Sequence, residues 1–159
     1  MSTSWCVTIP CLEVRSGKPS GALPGHSQLN LENTMIVGIG VDLIRCSRIE
    51  RELSNGPWQA AEGVFTTQEL RNCGEGKRKA ARMAACFTAK EAALKALGAE
   101  VEDLGMFREV EVLYGPSREP CIALHGRARS RARRLGVTHI WVSTASAKKH
   151  AGALVVLES

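Results

Sequence analysis

Apolar and polar positions alternate along Ile36-Val37-Gly38-Ile39-Gly40-Val41-Asp42-Leu43. Period two predicts a strand over residues 35–44, with Val37, Ile39, Val41 and Leu43 on one face. Gly38, Gly40 and Asp42 share the other face with Ile36. A face kept small up to a carboxylate suits the close approach of a ligand, although an aspartate at a strand end also commonly begins a turn. From Arg78 to Leu97 the period becomes helical. Met83, Phe87, Leu94 and the alanines form a core stripe, and Thr88, Glu91 and Lys95 recur at i, i+3 and i+7 on a different face. Alanine favours helix and Gly98 is a suitable stop.

Two further helix starts have the form of capping boxes: Ser47-Arg48-Ile49-Glu50 and Thr66-Thr67-Gln68-Glu69. The first helix is expected to end near Asn55-Gly56-Pro57. The second box gives Glu69 a structural role ahead of a metal-binding one. Phe107 to Tyr114 alternates as a strand. Gly115-Pro116-Ser117 and Glu119-Pro120 lead to its hairpin partner, Cys121 to Leu124. An arginine-rich helix over about 126–135 stops at Gly136. Strands at 138–143 and 151–157 close the chain, with a polar connection over 144–149. The order β-α-α-α-β-β-α-β-β with hairpin signals predicts an α+β fold, its mostly antiparallel sheet packed against the long Ala-rich helix.

The chain has 159 residues, which favours one domain. Residues 1–34 carry scattered Pro, Gly and Ser without periodicity, and are expected to form a disordered or irregular extension to a domain spanning 35–159. Met35 opens the first strand directly. Met1 to Leu12 lacks the basic start of a secretory signal, and no apolar run is long enough to cross a bilayer. A cytoplasmic protein is expected, with no membrane partner. The six cysteines form no CxxC pair and have no histidines at zinc spacing, so reduced thiols are expected.

The net charge of +5 arises entirely after residue 34, because Arg15 and Lys18 balance Glu13 and Glu32. Lys77, Arg78, Lys79 and Arg82 form one basic cluster; Arg127, Arg129, Arg131, Arg133 and Arg134 form another. Each suits phosphates or an acidic partner, or is simply a solvated helix face. A nucleic-acid-binding module is the weakest reading, since aromatics for base stacking are few and no such motif is present.

Glu91 and Lys95 alone make an ordinary i,i+4 ion pair, worth about 0.2–0.5 kcal/mol. Together with Asp42 they offer two carboxylates and a lysine from separate elements. Such a set suits a magnesium-dependent transfer from a diphosphate. Gly38-Ile39-Gly40-Val41-Asp42-Leu43, Arg48-Ile49, Phe65-Thr66-Thr67-Gln68-Glu69-Leu70, and Phe87-Thr88-Ala89-Lys90-Glu91-Ala92 with Lys95-Ala96-Leu97-Gly98 resemble the holo-acyl-carrier-protein synthase family, the small 4'-phosphopantetheinyl transferases. The resemblance covers residues 35–158 in order. It implies transfer of the phosphopantetheine arm of coenzyme A to a serine of an apo acyl or peptidyl carrier protein, with release of adenosine 3',5'-bisphosphate. It makes Asp42 and Glu91 magnesium ligands, Lys95 the lysine near the phosphates, and Glu91 and Lys95 the catalytic pair. Gly98 and the position of Ser146 face coenzyme A, and Arg48 meets the acidic carrier. Family members are often homotrimers that bind coenzyme A between subunits.

Three positions depart from the family's usual pattern, all at places expected to face the coenzyme. Ala145-Ser146 stands where relatives usually have Ser-His. Cys86 stands where an arginine is common. Gly98-Ala99-Glu100 replaces Gly-Thr-Gly. These departures define the alternative: a catalytically degenerate relative that binds coenzyme A or a carrier protein in an accessory role.

Overall fold

The computed structural model describes residues 34–54, 63–99, 104–115 and 119–159. In chain order the elements are β1 (Ile36–Arg45), α1 (Cys46–Ser54), α2 (Thr67–Cys73), α3 (Lys79–Ala96), α4 (Leu104–Glu109), β2 (Val110–Tyr114), β3 (Pro120–Leu124), α5 (Gly126–Arg134), β4 (His139–Ser146) and β5 (His150–Glu158). Strand β5 lies between β1 and β4, antiparallel to both, and β2 and β3 form a separate antiparallel hairpin. The fold is therefore α+β, as expected. Residues 1–33, the stop near Asn55-Gly56-Pro57, Pro116-Ser117 and Glu100 lie outside the described residues.

Helix α3 is the centre of the domain. Most of its alanines and Met83, Cys86 and Leu94 are buried, because β1 and β5 cover one side while α1, α2 and β2 approach the others. A helix enclosed in this way needs small side chains wherever a backbone comes close. The strand supplies the other half of that fit. A Cβ on Gly40 would stand 1.9 Å from the Ala92 carbonyl oxygen, and one on Gly38 would stand 2.2 Å from that of Ala96. Two residues along a strand advance about 6.6 Å, and four along a helix about 6 Å, so the two contacts recur in step.

The glycine face of β1 is thus small because the helix backbone lies on it, not because a ligand approaches there. The apolar face is turned outward: Ile39, Val41 and Leu43 are exposed, as is Leu154 on β5. Cross-strand register puts Val156 and Trp141 on the same outer face.

Other boundaries differ from the sequence reading. Helix α1 starts at Cys46, so Ser47 lies in its first turn rather than at the cap. The Cys46 amide donates to the Lys149 carbonyl on the β4–β5 hairpin instead. Phe107 to Glu109 form the end of helix α4, not a strand, because Phe107 is buried and stacks on Phe87 of α3 at a centroid distance of 5.5 Å. Residues 144–146 extend β4 rather than forming a connection, through pairing with Ala153, Gly152 and Ala151. The Thr66–Glu69 capping box is present as expected.

Candidate active site

Asp42 is the next residue on the glycine face of β1 after Gly38 and Gly40. The close packing that those glycines permit carries its carboxylate to the flank of α3. Lys95, in the last turn of that helix, reaches across and donates to Asp42 Oδ1 at 2.9 Å and to the Val41 carbonyl at 3.4 Å. The same ammonium lies 3.0 Å from Glu91 Oε1, one helical turn back. Two carboxylates separated by 49 positions in sequence therefore converge on one cation.

Asp42 and Glu91 side chains are 11% and 19% exposed, and Lys95 39%, so the cluster is sheltered yet open to solvent on one side. Partial burial alone would depress the Lys95 pKa. Hydrogen bonds to Asp42 and Glu91, and their negative charge, outweigh that effect and hold it above the ordinary lysine value. Lys95 is accordingly a fixed positive charge across the neutral range. Among the described residues, no group of three or more His, Cys, Asp or Glu gathers to hold a metal. The pair of hard carboxylate oxygens fits a cation that completes its shell with water and substrate oxygens, which is the habit of magnesium.

The other expected site residues are scattered around this cluster. Gly98 is exposed just past the end of α3 with φ +63°. Ser146 is exposed at the end of β4, opposite Ala151. Cross-strand register places it on the face of the sheet that carries Asp42. Arg48 is exposed on α1. No hydrogen bond or ion pair of the Asp42–Glu91–Lys95 cluster involves Gly98, Ser146 or Arg48.

Two positions behave otherwise than expected. Thr88 is buried, with its hydroxyl donating to the Ala85 carbonyl, so it does not share the open face of Glu91 and Lys95. Cys86 does not face a coenzyme site. It is buried one turn before Lys90, and its thiol lies 3.5 Å from Glu69 Oε1. Burial, followed by the charge of Glu69, pushes that thiol well above its ordinary pKa.

The interaction that sequence reasoning missed is on the opposite side of α3 from the solvent. Lys90 donates to both Glu69 oxygens at 2.7 Å and to the Val110 carbonyl. Glu69 also accepts from the amides of Thr66 and Val112, each at 2.7 Å. Its place in the capping box was legible; the long-range lysine was not.

A profile of the 4'-phosphopantetheinyl transferase superfamily matches residues 38–155. The chain belongs to that superfamily. A holo-[acyl-carrier-protein] synthase of Alkalilimnicola ehrlichii is 40% identical over 126 residues, covering 79% of this chain and 98% of the relative. One from Halorhodospira halophila is 38% identical over 123 residues, covering 77% and 98%. Among solved structures, a holo-(acyl-carrier-protein) synthase from Bacillus anthracis in complex with CoA (3',5'-ADP) superposes with a TM-score of 0.64 at 31% identity, covering 79% of this chain and 98% of that one. The synthase from Neisseria meningitidis gives 0.68 at 27%, covering 79% and 100%. The match thus spans nearly the full length of these relatives. Among the described residues, no helix is long and apolar enough to cross a membrane.

Proposed function

We propose that this protein is a holo-acyl-carrier-protein synthase, which moves the 4'-phosphopantetheine arm of coenzyme A onto a serine of an apo carrier protein and releases adenosine 3',5'-bisphosphate. The observation that carries this reading is the convergence of Asp42, Glu91 and Lys95 within a fold shared with such synthases. The domain that acts is residues 35–159, and the enzyme works in the cytoplasm.

Asp42 and Glu91 would hold magnesium, which when bound neutralises charge on the diphosphate of coenzyme A. Lys95 remains protonated and lies between the carboxylates, so it steadies the negative charge that builds on the departing phosphate. Glu91 accepts the proton of the carrier serine as its oxygen attacks phosphorus. Most of the rate enhancement in such a transfer is positioning and charge stabilisation, which rigid packing of β1 on α3 supports. Gly98 and Ser146 border the coenzyme, and Arg48, exposed on α1, pairs with the acidic surface of the carrier.

The family resemblance implies a homotrimer, and the outward apolar face of the sheet supports association between copies. Ile39, Val41 and Leu43 are 57%, 59% and 70% exposed, and three large apolar side chains side by side on one strand are what an interface between copies would cover. Size-exclusion chromatography with light scattering should give three times the mass of one chain, and Val41→Lys should give monomers. A single-chain mass for the unsubstituted protein would reject the trimer.

The test of the activity is mass spectrometry of apo carrier proteins incubated with coenzyme A and magnesium. The expected result is a gain of one phosphopantetheine arm on the carrier serine. Measurable coenzyme A binding with no gain on any carrier tested would favour the degenerate relative, to which the Ala145-Ser146 replacement points.

A further inference from the structure

Arg131 is one of five arginines on α5, and its role differs from that of a solvated charge. The last carbonyls of any helix lack donors from within the helix. At the end of α3, three are met locally. The Leu97 amide donates to Ala93, the Ala99 amide to Leu94 and the Gly98 amide to Lys95, each at 2.9 Å. This is a Schellman ending turned by Gly98 in the left-handed region. Past Ala96, whose carbonyl lies against Gly38 of β1, the carbonyls of Leu97 and Gly98 are taken by Arg131: its Nε donates to Leu97 and its Nη2 to Gly98. A Cβ on Gly98 would lie 3.2 Å from that Nη2, so the guanidinium closes directly on the turn.

The same stretch of chain carries Lys95, which bridges Asp42 and Glu91 only three residues earlier. Its end must therefore be held as firmly as its middle. Carbonyl oxygens left free beside the cluster would repel a phosphate. A guanidinium fork engages both, fixes the peptide planes and adds positive charge at the negative end of the helix dipole.

We propose that Arg131 is a positioning residue for coenzyme A: it locks the Leu97–Gly98 turn, with both carbonyls withdrawn, in the form that receives the coenzyme's phosphates. This rests on the transferase reading and on Gly98 bordering the coenzyme.

The experiment is a transfer assay on the full chain with an apo acyl carrier protein and saturating magnesium, varying coenzyme A. Wild type, Arg131→Met and Arg131→Lys are compared, with thermal unfolding in parallel. Arg131→Met should raise the KM for coenzyme A about tenfold, as loss of charge-assisted contacts implies, with little change in kcat. Arg131→Lys should fall between, because an ammonium cannot span two carbonyls as a fork. Lower unfolding midpoints with an unmoved KM in both variants would overturn the proposal and leave a stabilising cap. A wild-type KM in Arg131→Lys beside a raised one in Arg131→Met would also overturn it, since charge alone would then suffice. If Arg131→Met does not fold, an unmoved KM in Arg131→Lys counts against the proposal and a raised one supports it. A wild-type protein that binds coenzyme A without transfer sinks the transferase reading instead. The same comparison then proceeds on the Kd for coenzyme A, measured by calorimetry.

Discussion

Lys90 Nζ lies 2.7 Å from both carboxylate oxygens of Glu69, and neither side chain reaches solvent. The pair joins α2 to α3, and the remaining capacity of each partner is met by backbone of β2 and of the turn before α2. Lys90 is also the residue before Glu91, so the pair fixes how α3 is rotated about its axis. Removing one partner leaves an uncompensated buried charge. Lys90→Met should cost about 3–5 kcal/mol in a urea unfolding titration. Glu69→Leu combined with Lys90→Met should cost less than Lys90→Met alone. A single substitution as mild as a surface change would show that the pair is not buried as described.

Gly40 is where the strand and the helix backbone meet. Gly40→Ala places a methyl carbon against the Ala92 carbonyl, and neither backbone has a flexible end to move aside. The expected loss is at least about 1–3 kcal/mol of stability. Since the strand must lift from the helix, Asp42 also withdraws from Lys95. Transfer activity should therefore fall by more than the unfolded fraction accounts for, as an activity assay on the folded fraction at low temperature would show. Gly63 provides the control: a Cβ there meets nothing within 4 Å, and Gly63→Ala should be close to neutral.

Asp42→Ala and Glu91→Ala should each abolish magnesium-dependent transfer while the circular dichroism spectrum stays native. Losing a charge-stabilising group of this kind costs on the order of 10²–10³ in rate. Stripping the wild type with a chelator should stop transfer, and added magnesium should restore it. Full rate in either variant would remove that residue from the metal site.

Glu109 contributes to the acid limb of stability. Burial would raise its pKa, but the Ala128 amide and Arg127 outweigh that and hold it below the ordinary carboxylate value. Its Oε2 accepts from the Ala128 amide at 3.0 Å, in the first turn of α5, where His125 makes no side-chain cap. A depressed carboxylate contributes fully above its unfolded pKa, about 4.3, and loses that contribution as pH falls through the lower folded value. Unfolding midpoints measured from pH 6 to pH 3 should therefore drop more steeply for wild type than for Glu109→Gln. Identical slopes would assign the acid limb to other carboxylates. Lys95 behaves in the opposite sense: its raised pKa keeps its contribution intact below about pH 10, the unfolded lysine value, and loses it only as pH rises through the folded one.

Much of this protein was legible along the chain. Period-two alternation marked β1, alanine content and Gly98 bounded α3, and the Thr66–Glu69 box marked the start of α2, because each signal is local to the backbone it shapes. The spacing of Glu91 and Lys95 by one turn likewise made their pairing readable. What each face is for was not. The glycines of β1 proved to be a seat for the helix backbone, and its large apolar residues face outward, because only the packed arrangement shows which side the core occupies. Phe107 to Glu109 alternate as a strand would, yet tertiary stacking of Phe107 on Phe87 holds them in a helix. Lys90 and Arg131 were hidden for the same reason. A buried lysine and a surface one look alike in sequence, and a guanidinium that completes a distant helix end is indistinguishable from its neighbours on an arginine-rich helix. The chain by itself determined the residue types and the local turns; the fold decided which charges meet, since contacts such as Lys90–Glu69 and Lys95–Asp42, 21 and 53 positions apart, depend on how the elements pack rather than on any local preference of the backbone.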